Sequence, residues 1–507
     1  MTATVRAPVG RFGGGGYVRP TWRQAILDSL PPRYRGSGAE RWIDRLPMLA
    51  VLLVFAALSA PLHNTAFVDE ARAVNAGRVY IDWWYGAPAP PTTGPFAGVS
   101  GSYPVVAATL DHIGGLALAR LFSWVCVALA ICAVQGAAAR TFGANRTGVF
   151  AAAVFVLTPP VVLVANLATP DAPAIAVVAV ACWCAVRFRG PTSAVMVGLL
   201  LDLAVALSPT SAVLVPLVLV STMAVRPDGR SAMRLVVALA VAVAGGAFAY
   251  LSEGNGLRAN VGLVLASLAP TGAGPLALGV QMALDIGLLV VLALYGVMAV
   301  SPSTTGASGR PSGARVAVGV CCLLIAVLLP VLHVVNAAST GLDQAGAYAA
   351  LGLAPLAGQG LAGLAQRLFR MIPVIVILAV ALLPASARSL EKFHAWADVS
   401  DVLTDLRTHP EPGRYLAETS DVLAYYAPEL SWDSPDGLAL QGPNAVQDAI
   451  SSRRYTVVVL GSTGGTAHDK LATALRLSPD YEPDPLPRPS DPAAERWLVY
   501  RLVTVTT

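Results

Sequence analysis

Leu46-Pro47-Met48-Leu49-Ala50-Val51-Leu52-Leu53-Val54-Phe55 opens a run of 23 residues, between Arg45 and Asp69, that carries no charge. About 20 apolar residues in a helix cross a bilayer core of ~30 Å, so this run reads as a first membrane span. It ends in His63-Asn64-Thr65-Ala66-Phe67-Val68-Asp69-Glu70-Ala71-Arg72, where two adjacent carboxylates appear at once. Asp69 and Glu70 thus stand where a helix leaves lipid for water. Two acids there can mark nothing more than a helix end in a solvated loop, or they can form a reactive site, and other stretches have to decide.

Composition sets the frame. The chain has 507 residues, 55% of them hydrophobic and 13% charged, against about 25% charged in a soluble domain, and its mean hydropathy is +0.63. That balance belongs to polytopic membrane proteins, and a formal charge of +4 gives no argument for a nucleic-acid partner. All six cysteines (Cys126, Cys132, Cys182, Cys184, Cys321, Cys322) fall in apolar runs and outline no disulfide framework. Eight arginines and Gly13-Gly14-Gly15-Gly16 precede the first span. That lead is too long for an ordinary cleaved signal peptide, and residues 1–45 read as a basic cytoplasmic tail.

Further apolar runs follow at 121–139, 147–170 and 172–186, in two halves of 190–225 broken at Ser208-Pro209-Thr210, then at 235–251, 276–300, 316–336, 345–366 and 371–387. With the first span they make 11. Arg140 and Arg146, Arg187 and Arg189, Arg226, Arg230 and Arg234, Arg310 and Arg315, and Arg367 and Arg370 occupy alternate connections. Short loops rich in arginine stay cytoplasmic, which places the tail inside and, after an odd number of spans, residues 389–507 outside. The expected fold is a polytopic α-helical membrane protein: a membrane domain over 46–388 and a small extracytoplasmic α/β domain over 389–507.

The first outer loop, about residues 63–115, is long and holds Trp83-Trp84-Tyr85 and the prolines from Pro88 to Pro91. Its aromatics suit the headgroup layer, so short interfacial helices are expected; 259–270 reads likewise. In the C-terminal region Tyr455-Thr456-Val457-Val458-Val459-Leu460 and Trp497-Leu498-Val499-Tyr500-Arg501-Leu502-Val503 have strand character. Gly461-Ser462-Thr463-Gly464-Gly465-Thr466 superficially suggests a phosphate cradle, but it lacks Gly-Lys-Ser or Gly-Lys-Thr and reads as a plain strand-to-helix turn.

A second acid follows the third apolar run: Thr158-Pro159-Pro160, then Asn166-Leu167-Ala168-Thr169-Pro170-Asp171-Ala172-Pro173. Asp171 falls on the same side of the membrane as Asp69. With Asp69-Glu70 opening the first outer loop, this arrangement resembles the membrane-integral C-type glycosyltransferases (GT-C fold) akin to protein O-mannosyltransferases and lipid A aminoarabinose transferase. The segment from Gly114 to Ser123, with Arg120, is similar to the family's approach to its second span. Ala139-Arg140-Thr141-Phe142-Gly143-Ala144-Asn145-Arg146 is similar to its short basic turn. The likeness is strong over residues 46–225 and architectural beyond. One position departs from it: near Ser208 these enzymes often carry a lysine, and here Ser208-Pro209-Thr210 stands instead.

The resemblance implies an inverting transfer of a hexosyl or pentosyl group from a polyprenyl-phosphate sugar to a hydroxyl of a protein, glycan or lipid, in contact with membrane lipids. Asp69 is the expected general base and Glu70 orients the loop. Asp171 either hydrogen-bonds the acceptor or helps hold a divalent cation together with Asp69; no other cofactor is implied. The leaving phosphate needs positive charge, and Arg72, Arg120 and Arg258 are the expected phosphate-binding cations, Arg120 foremost because it starts a span. Arg72 can equally be a surface ion pair with Asp69, and Arg78 or Arg258 can snorkel to headgroups. His63 and His112 lack metal-ligand spacing, and Asp202, inside an apolar run, is open between a structural and a functional role. The competing classes are a transporter or flippase, for which intramembrane charge or an internal repeat would be expected, and a degenerate relative that only binds lipid.

Overall fold

The computed structural model describes residues 37–59, 64–88, 102–188, 190–224, 229–253, 268, 270, 274–299, 312–339, 341–367, 398–439, 442, 444–461, 466–484 and 497–503. Most of the basic tail, His63, Arg258, most of the second interfacial segment and the expected span at 371–387 lie outside them. The chain falls into two compact units, Met1–Ala50 and Val51–Thr507. The first is described only from Ser37, as the opening turns of helix α1 (Ser37–Leu58).

In the second unit α1 gives way to α2 (Val68–Trp84) and α3 (Ser102–Phe142). Helix α3 is really two helices joined at Gly114 (φ −143°, ψ 20°) and Gly115 (φ 68°, ψ −175°). The second of these conformations is open essentially to glycine alone, so the Gly-Gly pair dictates the corner. Residues 102–113 therefore form a separate helix, in the stretch where the sequence leads one to expect short helices, and residues 116–142 form the long apolar one. Helix α2 lies against the first half of α3: Ala73 and Val74 pack with Tyr103, Ala107 and Ala108. At Gly77 the approach is so close that a Cβ would stand 1.9 Å from the carbonyl oxygen of Pro104.

The run at 147–170, expected as one span, is bent. Helix α4 (Asn145–Val156) and helix α5 (Pro159–Asn166) meet at 69°. Pro159 and Pro160 have no N–H to continue the ladder and disfavour helical backbone before them. The freed Thr158 turns its hydroxyl back to the Val154 carbonyl at 2.8 Å. The remaining helices are α6 (Asp171–Arg187), α7 (Pro191–Leu207), a 3-10 turn over Pro209–Leu214, α8 (Val215–Ala224), α9 (Gly229–Glu253), α10 (Pro275–Ala299), α11 (Ser312–Val335) and α12 (Leu342–Arg367). The expected break at Ser208-Pro209-Thr210 coincides with the end of α7.

Among the described residues four helices are long and apolar enough to cross a membrane, or five if the bent pair counts as one span. Others that the sequence leads one to expect hold shorter apolar stretches among the described residues: Pro191–Leu207 and Pro209–Thr222, and Arg45–Leu58 and Ala232–Ala247, which lie within the longer helices α1 and α9. Of the four long apolar helices, α12 is the most buried.

The C-terminal region forms α13 (Ser400–Thr408), β1 (Arg414–Ala417), α14 (Ser420–Tyr426), β2 (Ser431–Asp433), α15 (Pro435–Ala439), α16 (Ala445–Ser451), β3 (Val457–Leu460), α17 (Thr466–Leu477), β4 (Tyr481–Asp484) and β5 (Leu498–Leu502). The five strands make one sheet in the order β2-β1-β3-β5-β4, with β1 parallel to β2 and β3, and β5 antiparallel to β3 and β4. Side chains alternate across the pleat. Tyr415, Ala417, Val457 and Val459 join Val402, Leu406, Val422 and Leu423 on one face, while Leu416, Val458 and Leu460 join Ile450, Leu471 and Leu475 on the other. The first of these cores also takes in Ala66 and Ala71, so the C-terminal α/β region and the start of α2 share one apolar cluster.

Candidate active site

Adjacent residues on a helix point about 100° apart, so Asp69 and Glu70 cannot face the same way. Glu70 turns inward and is fully buried. In the third position of α2 it accepts the Phe67 N–H at 3.0 Å, satisfying one of the open donors of the helix start. Arg120, in the long half of α3, meets it with two parallel bonds, Nε to Oε1 at 2.9 Å and Nη2 to Oε2 at 2.7 Å. The Ala168 N–H adds a fourth bond to Oε1 at 2.7 Å. Arg120 also donates from Nη1 to the Asn64 carbonyl at 3.0 Å and from Nη2 to the Thr65 carbonyl at 3.2 Å. This knot ties the start of α2, the start of the α3 span and the turn before α6 to each other.

That turn delivers Asp171, the first residue of α6, whose side chain is buried beside the knot's Ala168. Its Oδ1 accepts from the Ser208 hydroxyl and from the Tyr348 hydroxyl, each at 3.0 Å. Ser208 thus stands at the end of α7 as a neutral donor to Asp171, at the place where the resemblance leads one to expect a lysine. Asp69 and Asp171 are near enough for one carboxylate to feel the charge of the other.

Asp69 is left outside this bonding. Its side chain is 59% exposed, and the partner it has is Arg72, whose Nη1 stands 3.8 Å from Oδ1. Water reaches the carboxyl, yet protein rings it closely enough that desolvation raises its pKa above the ordinary carboxylate value. Arg72 opposes that rise, while Asp421 and Glu70 add to it.

Helix α14 of the C-terminal domain forms a wall of the site. Arg72, Asn75 and Arg78 recur every three residues along one stripe of α2, and each meets α14. Arg72 donates from Nε to Asp421 Oδ2 at 3.1 Å, Asn75 Nδ2 donates to the Asp421 carbonyl at 2.8 Å, and Arg78 Nη1 donates to the Tyr425 carbonyl at 3.2 Å. Arg78 also pairs with Asp111 at 3.0 Å and lies 4.9 Å over the Tyr425 ring, whose hydroxyl donates to Asp111. The Tyr426 hydroxyl accepts the Ala66 N–H at 2.8 Å.

Of the residues expected in the site, the structure therefore gathers Asp69, Glu70, Arg72, Arg120 and Asp171 around the start of α2. Arg120, expected to bind donor phosphate, has partners of its own here. Its guanidinium is buried on Glu70 and two backbone carbonyls, because a carboxylate with no access to water must be matched by a charge at hydrogen-bond distance. Asp202 packs its carboxylate against Gly245 of α9, and His112 is exposed. Among the described residues no group of three or more His, Cys, Asp or Glu side chains is arranged to hold a metal ion. Asp421, Tyr425, Tyr348 and Asp111 enter the site unannounced by any motif, since their partners lie far away in the sequence.

No protein-family model matches the sequence, and no curated protein matches it significantly. Solved structures do match. ArnT from Cupriavidus metallidurans bound to undecaprenyl phosphate superposes with a TM-score of 0.56 at 15% identity, covering 92% of this chain and 99% of that one. The archaeal oligosaccharyltransferase AglB from Archaeoglobus fulgidus, in complex with an inhibitory peptide and a dolichol-phosphate, superposes with a TM-score of 0.51 at 13% identity, covering 87% and 73%. Its apolar helices and this likeness make the chain an integral membrane protein with the GT-C fold, the fold of the membrane-integral C-type glycosyltransferases.

Proposed function

We propose that the chain is an inverting glycosyltransferase that moves a sugar from a polyprenyl-phosphate donor to an acceptor hydroxyl on the outer face of the cell membrane, with Asp69 as the general base. One observation carries the reading: of the three carboxylates brought together near the start of α2, Glu70 has both oxygens taken by buried hydrogen bonds, Asp171 is buried with Oδ1 held by two hydroxyls, and Asp69 is the exposed one. The undecaprenyl phosphate in ArnT and the dolichol-phosphate in AglB support a lipid-linked donor. The contact between α14 and α2 supports a C-terminal domain on the same side as Asp69, as the arginine-rich loops imply.

In this mechanism Asp69 takes the proton of the acceptor hydroxyl as that oxygen forms its bond to the anomeric carbon. The bond from that carbon to the phosphate oxygen breaks on the opposite side, which inverts the centre. The polyprenyl phosphate leaves as a stable anion, so positive charge serves it better than a general acid. Arg72, 3.8 Å from Asp69 and 42% exposed, is suited to that contact, with Arg258 as a second cation. Arg120 acts indirectly by holding Glu70, and Glu70 sets the direction of the first turn of α2. A positioned base is worth about 10²- to 10⁴-fold in rate.

The test is transfer of a labelled sugar from polyprenyl-phosphate donors by the purified full chain. Product formation that disappears in Asp69→Asn is the expected result. Absence of transfer from every such donor, with the protein folded, would remove the reading.

A further inference from the structure

The guanidinium of Arg72 has two carboxylates within reach and does not treat them alike. Asp69 precedes it by three residues on the same helix, the spacing at which an acid and a base on a helix ordinarily pair. Nonetheless Nε and Nη2 of Arg72 both point at Asp421 Oδ2, at 3.1 and 3.0 Å, and only Nη1 turns toward Asp69, stopping at 3.8 Å. Asp421 is the better shielded of the two acids, with 12% of its side chain exposed against 59% for Asp69. A less hydrated carboxylate binds a guanidinium more strongly. Asp421 is itself fixed, since its carbonyl takes the Asn75 amide at 2.8 Å one turn along α2.

We infer that Asp421 is a positioning residue: from the C-terminal region it holds Arg72 back from Asp69, so that the ion pair of Asp69 stays long and its carboxylate only weakly paired. The inference rests on the reading of Asp69 as the base only for its consequence in catalysis. A carboxylate in a full ion pair is a weaker base and presents fewer free lone pairs to an incoming hydroxyl. By occupying two of the three guanidinium nitrogens, Asp421 leaves Asp69 with a single distant one. The soluble domain then governs the site through charge without touching the reacting atoms.

The other charges around Asp69 are balanced among themselves. On α2, Glu70 is matched by Arg120 from α3, and Arg78 by Asp111 from α3. From α6, Asp171 faces the same region with its Oδ1 held by Ser208 and Tyr348. Arg72 is thus the described cation with an arm turned to Asp69, and Asp421 is the group that decides where its other arms go. The negative charge of Asp421 adds to the rise in the pKa of Asp69, and Arg72 opposes it, so removing Asp421 shifts both influences in one direction.

The experiment compares the wild-type full chain, Asp421→Asn and Asp421→Glu in lipid nanodiscs. The seat of α14 in both variants is held by Asn75 and Arg78 of α2, by Asp111 of α3 and by the Ala66 N–H ahead of α2, none of which uses the Asp421 side chain. Labelling of Asp69 by a water-soluble carbodiimide, which attacks the protonated carboxyl, is followed against pH by peptide mass spectrometry. The expected result is a labelling midpoint at lower pH in Asp421→Asn and close to wild type in Asp421→Glu. In parallel, the acid limb of kcat/KM for sugar transfer moves down in Asp421→Asn and its plateau falls several-fold, because the base has become weaker. A purely structural role would lower activity and leave both midpoints in place, and that outcome overturns the inference. An equal shift in both variants overturns it as well. If the labelling midpoint moves as expected while even the wild type transfers no sugar, the positioning of Arg72 stands and the proposed function falls.

Discussion

Glu70 and Arg120, fifty residues apart, meet in a two-point ion pair with nitrogen to oxygen distances of 2.9 and 2.7 Å, the carboxylate wholly buried and the guanidinium nearly so. Cutting one side of such a pair leaves an uncompensated charge in the interior. Arg120→Ala is therefore expected to cost about 3–5 kcal/mol and to lower the melting temperature sharply. Replacing both partners together, Glu70→Leu with Arg120→Met, should recover much of that loss, since neither charge then remains to be solvated. Differential scanning fluorimetry on the purified variants gives the comparison. A small effect of Arg120→Ala on melting, with a large one on donor affinity, would return Arg120 to the role of phosphate ligand.

Asp69→Asn is expected to reduce transfer by about 10²- to 10⁴-fold with little change in melting temperature. The side chain is 59% exposed and its ion pair with Arg72 is long, and exposed pairs contribute ~0–1 kcal/mol. Asn keeps the size and one acceptor oxygen but cannot take the proton. Near-normal transfer by Asp69→Asn together with a loss in Asp171→Asn would move the base to the second acid.

The acid side of the pH profile carries the mark of desolvation at Asp69. Its pKa is raised, so transfer should decline with falling pH at values above those of an ordinary aspartate, for which ~3.9 is usual. Linkage fixes the sign for stability. A carboxyl with a raised folded pKa favours the fold fully below its unfolded pKa, and that contribution is lost as pH rises through the folded one. Asp69→Asn should therefore leave melting unchanged or slightly higher at neutral pH, and the difference from wild type should disappear in acid. Melting curves at a series of pH values decide it, and a variant that is less stable only at neutral pH would contradict the assignment.

Gly77→Ala tests the seam that seats α2. The new Cβ would meet the Pro104 carbonyl oxygen at 1.9 Å, and backbone cannot swing aside as a side chain can. Overpacking of this kind costs about 1–3 kcal/mol, and here it also tilts the helix that carries Asp69. Both melting temperature and transfer should fall. Loss of neither would mean that α2 sits farther from α3 than the structure shows.

Much of this arrangement follows from local sequence. Charge-free runs of about 20 residues specify apolar helices, the Gly114-Gly115 pair specifies the corner in α3, and the unbroken apolar run Val457-Val458-Val459-Leu460 specifies a strand buried on both faces. That Asp69 and Glu70 diverge is already a consequence of helix geometry. Each of these properties depends on residues within a few positions of one another. The same local information in Thr158-Pro159-Pro160 was enough to break a helix, yet the apolar run around it reads as one unbroken span, because hydropathy is blind to backbone donors.

What tertiary packing alone decided is which carboxylate stays available. By its position at the start of a span Arg120 is expected to bind phosphate, and its guanidinium is bonded to Glu70 only because α2 and α3 fold so as to bring that carboxylate to it. Asp421 lies 349 residues from Arg72, in a domain with no motif that points to the membrane site, yet it claims two of the three guanidinium nitrogens there. Tyr348 reaches Asp171 across 177 residues from an alanine-rich helix. Residue type determines that a carboxylate and a guanidinium can pair. Which ones do so depends on the distances set by folding and on how much water remains between them, and those exist only once the chain has closed on itself.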